Sequence, residues 1–411
     1  MTSEPESTFT GTQRDKSVWP ADRLSKRIQA VPPSGIRRFF DLAAEMQGQV
    51  LSLSIGEPDF VTPWRIREAG IYSLENGETH YTANRGLLEL RAAIAAYMQD
   101  RFSLAYDPKR EVVVTVGGSE ALDNAVRVLC DPGDEAIVPE PSFVSYKASC
   151  AMAGVKAVTI DLKKEDQFRL KPEALAAAIT PSTRLLILGY PNNPTGAVME
   201  RADYKALLPL LKANPQISIL SDELYAELNY TGVEHCSPAQ FKELYDRTVV
   251  VGGFSKSFAM TGWRLGYACG PAPLMEALNK VHQYVIMSSP TTAQHAAVEA
   301  LRYCLPEVEG MRLEYNGRRR YILKRLEEMG VSCFEPLGAF YIFPDISSYG
   351  LTSEEFCERF LKEHKVAIIP GSAFGQSGEG FVRISYAASM ETIEAAMDRL
   401  QCFTADLKRG I

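Results

Sequence analysis

Two cations stand in unusual company past the middle of this chain. Lys256 lies between two serines and two phenylalanines in Phe254-Ser-Lys-Ser-Phe258, with no acidic neighbour for several residues on either side. Burial of such a lysine lowers its pKa and frees the neutral amine to act as a nucleophile. Eight residues on, Arg264 is set among Gly262, Trp263 and Gly266. A lysine that forms a Schiff base and an arginine that grips a phosphate would account for both. A third cation, Arg383, falls mid-strand in the apolar run Gly380-Phe-Val-Arg-Ile-Ser-Tyr386. An unpaired charge is costly there, so Arg383 calls for an anionic partner. Asp222 ends the run Ile217-Ser-Ile-Leu-Ser-Asp222. The carboxyl end of a strand is where open α/β sheets bind ligands, although an aspartate there equally caps a following helix.

These residues need a scaffold, and the chain predicts one. Three β-branched residues at 249–251 read as a buried strand, broken by Gly252 and Gly253, which let backbone approach closely. Residues 111–116 form a strand, and Gly117-Gly118-Ser119-Glu120-Ala121-Leu122 opens a helix. A strand, two glycines and a helix N-terminus make an anion cradle, in which Gly118, Ser119 and Glu120 would offer backbone N–H groups. This is not the six-residue dinucleotide fingerprint. Residues 184–189 are a further buried strand, followed by the loop Tyr190-Pro-Asn-Asn-Pro-Thr-Gly196. Strand and helix patterns alternate, which predicts an α/β fold with a mostly parallel sheet of about seven strands and helices on both faces. From Gly270 to Tyr303, and again over 313–329, the periodicity is helical. Strand-like runs at 331–344, 366–371 and 380–386 interleave with helices at 353–364 and 391–403, which predicts a smaller α/β domain at the C-terminus. We expect an arm at 1–20, an N-terminal segment at 21–50 packing on the small domain, a large domain at 51–295 and the small domain at 296–411.

Bulk properties exclude several functions. The chain has 411 residues, 46% of them hydrophobic, and a net charge of −7. No long basic run exists, so nucleic-acid binding is not suggested. Eight cysteines are scattered without a Cys-x-x-Cys pair, which reads as reduced core thiols in a cytoplasmic protein and not as a disulfide or zinc framework. The first twenty residues lack the apolar core of a signal peptide, and no run of about eighteen apolar residues could span a membrane.

The run Ser255-Lys-Ser-Phe-Ala-Met-Thr-Gly-Trp-Arg-Leu-Gly-Tyr267 resembles the cofactor-lysine segment of class I/II aminotransferases. These are fold-type I enzymes that use pyridoxal 5′-phosphate (PLP). The resemblance extends over residues 24–400 and includes several motifs in the family's order. It implies that Lys256 carries the cofactor covalently and moves the substrate proton, with Asp222 against the pyridine nitrogen and Tyr225 on its O3′. It implies that Asn193, in Asn193-Pro-Thr-Gly196, bonds the same phenolic oxygen and that Phe143 stacks on the ring. Gly118, Ser119, Glu120, Ser255 and Arg264 would surround the phosphate, and Gly56, in Gly56-Glu-Pro-Asp59, would lie on the substrate side. Arg383 would clamp the substrate α-carboxylate, and Tyr81 would reach across a homodimer interface to the partner subunit's phosphate. The implied reaction moves an amino group from an L-amino acid to a 2-oxo acid. Two alternatives use related scaffolds: a PLP-dependent carbon–sulfur β-lyase, and a non-enzymatic PLP-binding regulator, for whose basic DNA-binding domain the twenty or so preceding residues are too few. Some aspartate-using relatives place a lysine at the position of Ser119. Its absence favours an aromatic or broad donor and leaves aspartate as an alternative, with 2-oxoglutarate as acceptor and Phe39, Phe40 and Trp64 as candidates for an apolar pocket. Gly253 replaces a serine found in many relatives, which removes one hydroxyl from the phosphate cup.

Overall fold

Runs of β-branched and aliphatic residues with no polar alternation form strands buried on both faces, and the centre of this molecule follows that rule. The computed structural model describes residues 23–33, 35–46 and 50–410; the arm expected at 1–20 and the side chain of Phe40 lie outside the described residues. Strand β1 (Leu51–Ser52) belongs to a small parallel pair considered below. Strands β2 (Val112–Thr115), β3 (Glu135–Glu140), β4 (Lys156–Asp161), β5 (Thr183–Gly189), β6 (Ser218–Asp222), β7 (Thr248–Gly253) and β8 (Gly266–Cys269) form one sheet in the order β2-β8-β7-β6-β5-β3-β4. Within this sheet β8 runs antiparallel to both its neighbours and the other pairings are parallel. Successive side chains enter opposite layers, as the pleat requires. Val112, Val114, Ile219 and Val250 join one hydrophobic cluster, while Val113, Leu220, Val249 and Val251 join the other.

Register then brings separate segments together. Gly189 at the end of β5 is paired with Asp222 at the end of β6, and Asp222 is paired with Val251 of β7. The chain leaves β7 directly into the segment that carries Lys256. On the far side of β8, β2 feeds the helix Gly117–Leu129.

The C-terminal part contributes an antiparallel sheet of β9 (Tyr341–Ile342), β11 (Ile369–Pro370) and β12 (Val382–Ser385), in the order β11-β12-β9. The run 366–371, which reads as one strand, is divided. Its first half, β10 (Val366–Ala367), pairs with β1, and its second half pairs with β12. The expected strand at 331–344 shrinks to β9 and isolated bridges from Gly338 to Asn229 and from Cys333 to Pro344. Leu51 and Leu53 donate backbone hydrogen bonds to Lys365 and Ala367, and Ser385 donates to Leu53. This stitching carries residues 54–57 to the side of Arg383. All eight cysteines are unbonded, and no helix among the described residues is long and apolar enough to cross a membrane.

Candidate active site

A cavity of about 350 Å³ opens at the carboxyl ends of β5, β6 and β7 and is closed on its other side by residues 36 and 55–57, Tyr341 and Arg383. Lys256 lines it, and its Nζ donates to the Gly56 carbonyl at 2.5 Å. Burial, followed by the positive charges of Arg383 and Arg264, lowers the Lys256 pKa to about 8, against the opposing pull of Glu57 and Asp222. The loop that carries Lys256 is firmly anchored. Thr62 Oγ1 donates to the Ala259 carbonyl at 2.5 Å and accepts from Trp263 Nε1 at 3.1 Å. Ala259 and Arg264 have φ of 51° and 52°, the left-handed region that costs a residue with a side chain about 1–2 kcal/mol and persists only where surrounding structure holds it.

A helix N-terminus forms where the glycines predict it. Gly117, at φ 73°, starts the helix, and a Cβ there would stand 2.7 Å from Arg264 Nη2. The bare Cα therefore lets the guanidinium lie against the helix N-terminus. Arg264 is exposed apart from a bond from Nη1 to the Thr261 carbonyl at 3.2 Å. The helix N-terminus, its dipole and this guanidinium could together hold an anion, and Gly118, Ser119 and Ser255 line the same cavity. The Glu120 side chain, whose backbone N–H is the one expected in the cradle, braces the turn from behind. Its carboxylate accepts from Val116 N at 2.6 Å and Asn124 Nδ2 at 2.9 Å, and meets His282 Nδ1 at 2.6 Å. Glu120 stands three residues past the helix start, and its side chain caps that turn and does not line the cavity.

Arg383 is 2% exposed. Its Nη1 donates to Asn193 Oδ1 at 2.9 Å and its Nη2 to the Ser54 carbonyl at 2.6 Å, while Nε is buried with no hydrogen-bond partner. The guanidinium is sandwiched between the rings of Tyr341 and Phe374, 4.5 and 4.8 Å away. No Asp or Glu among the described residues pairs with it, so an internal ion pair does not explain the charge. A buried fork with only neutral acceptors and an unpartnered N–H has the donor geometry to bind a carboxylate.

Asp222 faces the same space. Its Oδ2 accepts from Tyr146 at 2.7 Å and its Oδ1 from Leu224 N at 3.2 Å. Burial pushes its pKa up to about 6, against these two hydrogen bonds. Phe143 packs edge-on against Tyr146, with centroids 5.8 Å apart. The hydroxyls of Tyr225 and Tyr341 share a hydrogen bond of 2.7 Å.

Gly56, Gly118, Ser119, Phe143, Asn193, Asp222, Tyr225, Ser255, Lys256, Arg264 and Arg383 thus gather in one cavity. Tyr81 does not join them: it is 82% exposed on the same chain's surface. Phe39 is buried in the core, and Trp64 is exposed outside the cavity. Instead, Ile36 and Ile55 supply apolar wall on the closing side. Sequence reasoning passed over Tyr146 and Tyr341. Both are core-like aromatics, and only the register of β5 against β6 and the placement of β9 reveal their partners.

Taken together, the cavity offers an anion cradle, an aromatic ring, a buried carboxylate, an amine of lowered pKa and a fork for a second anion. This donor set fits a phosphorylated pyridine aldehyde together with an amino acid. Residues 48–400 match the family model described as aminotransferase class I and II. The chain is 47% identical to a putative aminotransferase of Bacillus subtilis over 380 residues, 92% of this chain and 98% of the relative. It is 44% identical to aromatic-amino-acid aminotransferase 2 of Thermococcus litoralis, covering 92% and 97% of the two chains. The solved aspartate aminotransferase of Thermus thermophilus with maleate superposes with a TM-score of 0.87 at 38% identity, over 92% of this chain and 99% of that one. Motifs, fold and cavity agree with these similarities, and the chain belongs to the class I and II aminotransferases, PLP-dependent enzymes of fold type I.

Proposed function

We propose that the protein transfers the amino group of an aromatic L-amino acid, or of a broad range of L-amino acids, to a 2-oxo acid such as 2-oxoglutarate, with PLP linked covalently to Lys256. The observation that carries this reading is the convergence of Lys256, Asp222 and Arg383 on one cavity from three separate segments. When bound, PLP supplies an aldehyde that takes up and hands on the amino group, and a protonated ring that withdraws electrons from the carbon being deprotonated. The chain's residues do the rest. The helix N-terminus at Gly118 and Ser119, with Ser255 and Arg264, holds the phosphate, and Phe143 covers the ring face. Asp222 holds the proton on the ring nitrogen, and Tyr225 and Asn193 hold the phenolic oxygen. Arg383 orients the substrate through its α-carboxylate, with Gly56 on the substrate side. The Lys256 amine, lowered toward neutrality, takes the proton from the substrate α-carbon and returns it.

The three cations lining the cavity, Lys256, Arg264 and Arg383, are all engaged in this scheme. Among the described residues no fourth is left there for a second carboxylate, and Ile36 and Ile55 favour an apolar side chain. A panel of donors against 2-oxoglutarate tests the preference. Phenylalanine or tyrosine should exceed aspartate in kcat/KM by about tenfold or more, and a preference for aspartate overturns it. In the same panel Arg383→Lys should raise KM for α-amino acids far more than it weakens PLP binding, because an ammonium cannot make the two-point fork. Equal losses for α-amino acids and for amines without a carboxylate would make Arg383 a structural residue.

We further read the protein as a cytoplasmic homodimer, with a large unit near 51–295 and a small one near 296–411. The unbonded cysteines support the compartment. Tyr81 points out of its own subunit, and Ile71, Tyr72, Leu74, Tyr284 and Val285 are also exposed, which supports a second copy whose phosphate site Tyr81 completes. Mixing tests this. Tyr81→Ala and Lys256→Ala chains, each inactive at limiting PLP, are unfolded and refolded together. One site of every heterodimer then receives both lesions and the other neither, so activity should return to about a quarter of wild type in an equal mixture. No recovery despite confirmed heterodimers would return Tyr81 to an ordinary surface role.

A further inference from the structure

We propose that Tyr146 is a positioning residue for Asp222: its hydroxyl, donated to Oδ2, keeps the carboxylate ionised and fixes its direction toward the ring site. The inference rests on the reading of Asp222 given above.

Three features of the structure build this contact. First, Tyr146 is 5% exposed, and its hydroxyl meets Oδ2 at 2.7 Å, while Oδ1 has only the longer bond from Leu224 N at 3.2 Å. No other side chain among the described residues donates to this carboxylate. Second, the space for the phenol is provided by glycine. Gly189 is the β5 partner of Asp222 in the sheet register, and a Cβ at Gly189 would overlap the Tyr146 hydroxyl. A strand-end glycine with ordinary φ needs a reason of this kind, since it otherwise weakens the strand. Third, Tyr146 and Phe143 occupy one turn, closed by a bond from Tyr146 N to the Phe143 carbonyl at 3.2 Å, with the rings edge to face. One short segment therefore sets both the ring that covers the cofactor and the donor that orients its counter-charge.

The electrostatic consequence follows from the surroundings of Asp222. Burial raises its pKa, and the Tyr146 hydrogen bond is the largest opposing influence, ahead of the Leu224 N–H. Of the charged groups that face it, Glu223 next in the chain also raises the pKa and Lys256 across the cavity lowers it. Tyr225, on the same turn, stays a neutral phenol because burial raises its own pKa. A neutral phenol that donates to a carboxylate stabilises the ionised form alone. Its loss shifts the carboxyl midpoint upward, so that near neutral pH a large share of the molecules present a protonated acid to the ring nitrogen.

The test uses the full-length protein with and without PLP. Infrared titration of the carboxyl band, isolated by subtracting the Asp222→Asn spectrum, reads the Asp222 midpoint in the cofactor-free protein. Tyr146→Phe should raise that midpoint by about one pH unit or more and speed PLP dissociation at pH 7 by about tenfold. Gly189→Ala should raise it similarly by displacing the phenol, and should add nothing in the Tyr146→Phe background. A midpoint within about 0.3 unit of wild type in Tyr146→Phe overturns the proposal, even if thermal stability falls, because a packing role would not move the titration. Equal shifts from Gly189→Ala in both backgrounds also overturn it, since the cause would then be the strand end. Failure of the Asp222 reading is seen separately: the midpoint would still move, while Asp222→Asn would leave turnover intact.

Discussion

Lys256→Ala should abolish transamination and leave PLP bound without a covalent link. The expectation follows from position and proton affinity together. Lys256 is the lysine that lines the cavity. With a pKa of about 8, about one amine in ten is neutral at pH 7, against about one in three thousand for an ordinary lysine. The neutral form is both nucleophile and proton carrier. Alanine removes both roles, and the proton-transfer role alone is worth about 10²–10⁴-fold. The Gly56 carbonyl, which accepts from Nζ, loses only a hydrogen bond at the cavity wall, so the fold should persist. Two measurements check this. Single-turnover assay should give no 2-oxo acid from an amino donor. Borohydride reduction followed by peptide mapping should fix cofactor on the Lys256 peptide of the wild type and on no peptide of the variant. Wild-type turnover by Lys256→Ala, or label on another lysine, would falsify the assignment.

The residues that gather in the cavity were legible in the sequence where local context marks them. Lys256 and Arg264 stand out because charge in a small, apolar turn is unusual, and the 117–118 glycines announce a helix N-terminus. Fold class was legible for the same reason, since doubly buried strands read as unbroken aliphatic runs. The C-terminal part was less so. The run 366–371 looks like one strand, yet its halves pair with β1 and β12 respectively, a division that depends on residues more than three hundred positions away. The run 331–344 has strand composition, but Gly338 bridges to Asn229 and only Tyr341–Ile342 enters a sheet. The spacing of a helix start offers the Glu120 backbone N–H to the cradle but does not say where its carboxylate goes, and that carboxylate folds back on Val116 and Asn124. The hydroxyl partners of Asp222 and Tyr225 could not be read at all. Each contact joins segments 76 or 116 positions apart, and a tyrosine in an apolar run carries no local sign of what its oxygen will meet.

Asp222→Asn should retain the fold and bind PLP, yet slow removal of the α-proton by about 10²–10³-fold or more, the scale on which a single preorganised electrostatic partner acts. In the protein alone the Asp222 carboxyl sits near 6 because burial disfavours its charge. A protonated ring nitrogen opposite it adds a cation, which favours the carboxylate again, so each group holds the other in its charged form. Asparagine has nearly the same shape: its Oδ1 can still accept from the Leu224 N–H, and its Nδ2 can donate to the Tyr146 hydroxyl once the phenol turns its own proton away. It cannot supply the negative charge, and the ring nitrogen loses its proton to solvent. The electron withdrawal that makes the substrate α-carbon acidic is then lost, while the cradle at Gly118 and the fork at Arg383 are untouched. Binding and chemistry should therefore separate: PLP is held about tenfold less tightly, the donor dissociation constant changes little, and the single-turnover rate falls by far more. Stopped-flow measurement with α-deuterated donor locates the loss, because the isotope effect grows as proton removal becomes limiting. An effect below tenfold, about 1.4 kcal/mol, would take Asp222 out of this role. A large loss accompanied by equal loss of PLP binding would make it a structural anchor of the ring and no more.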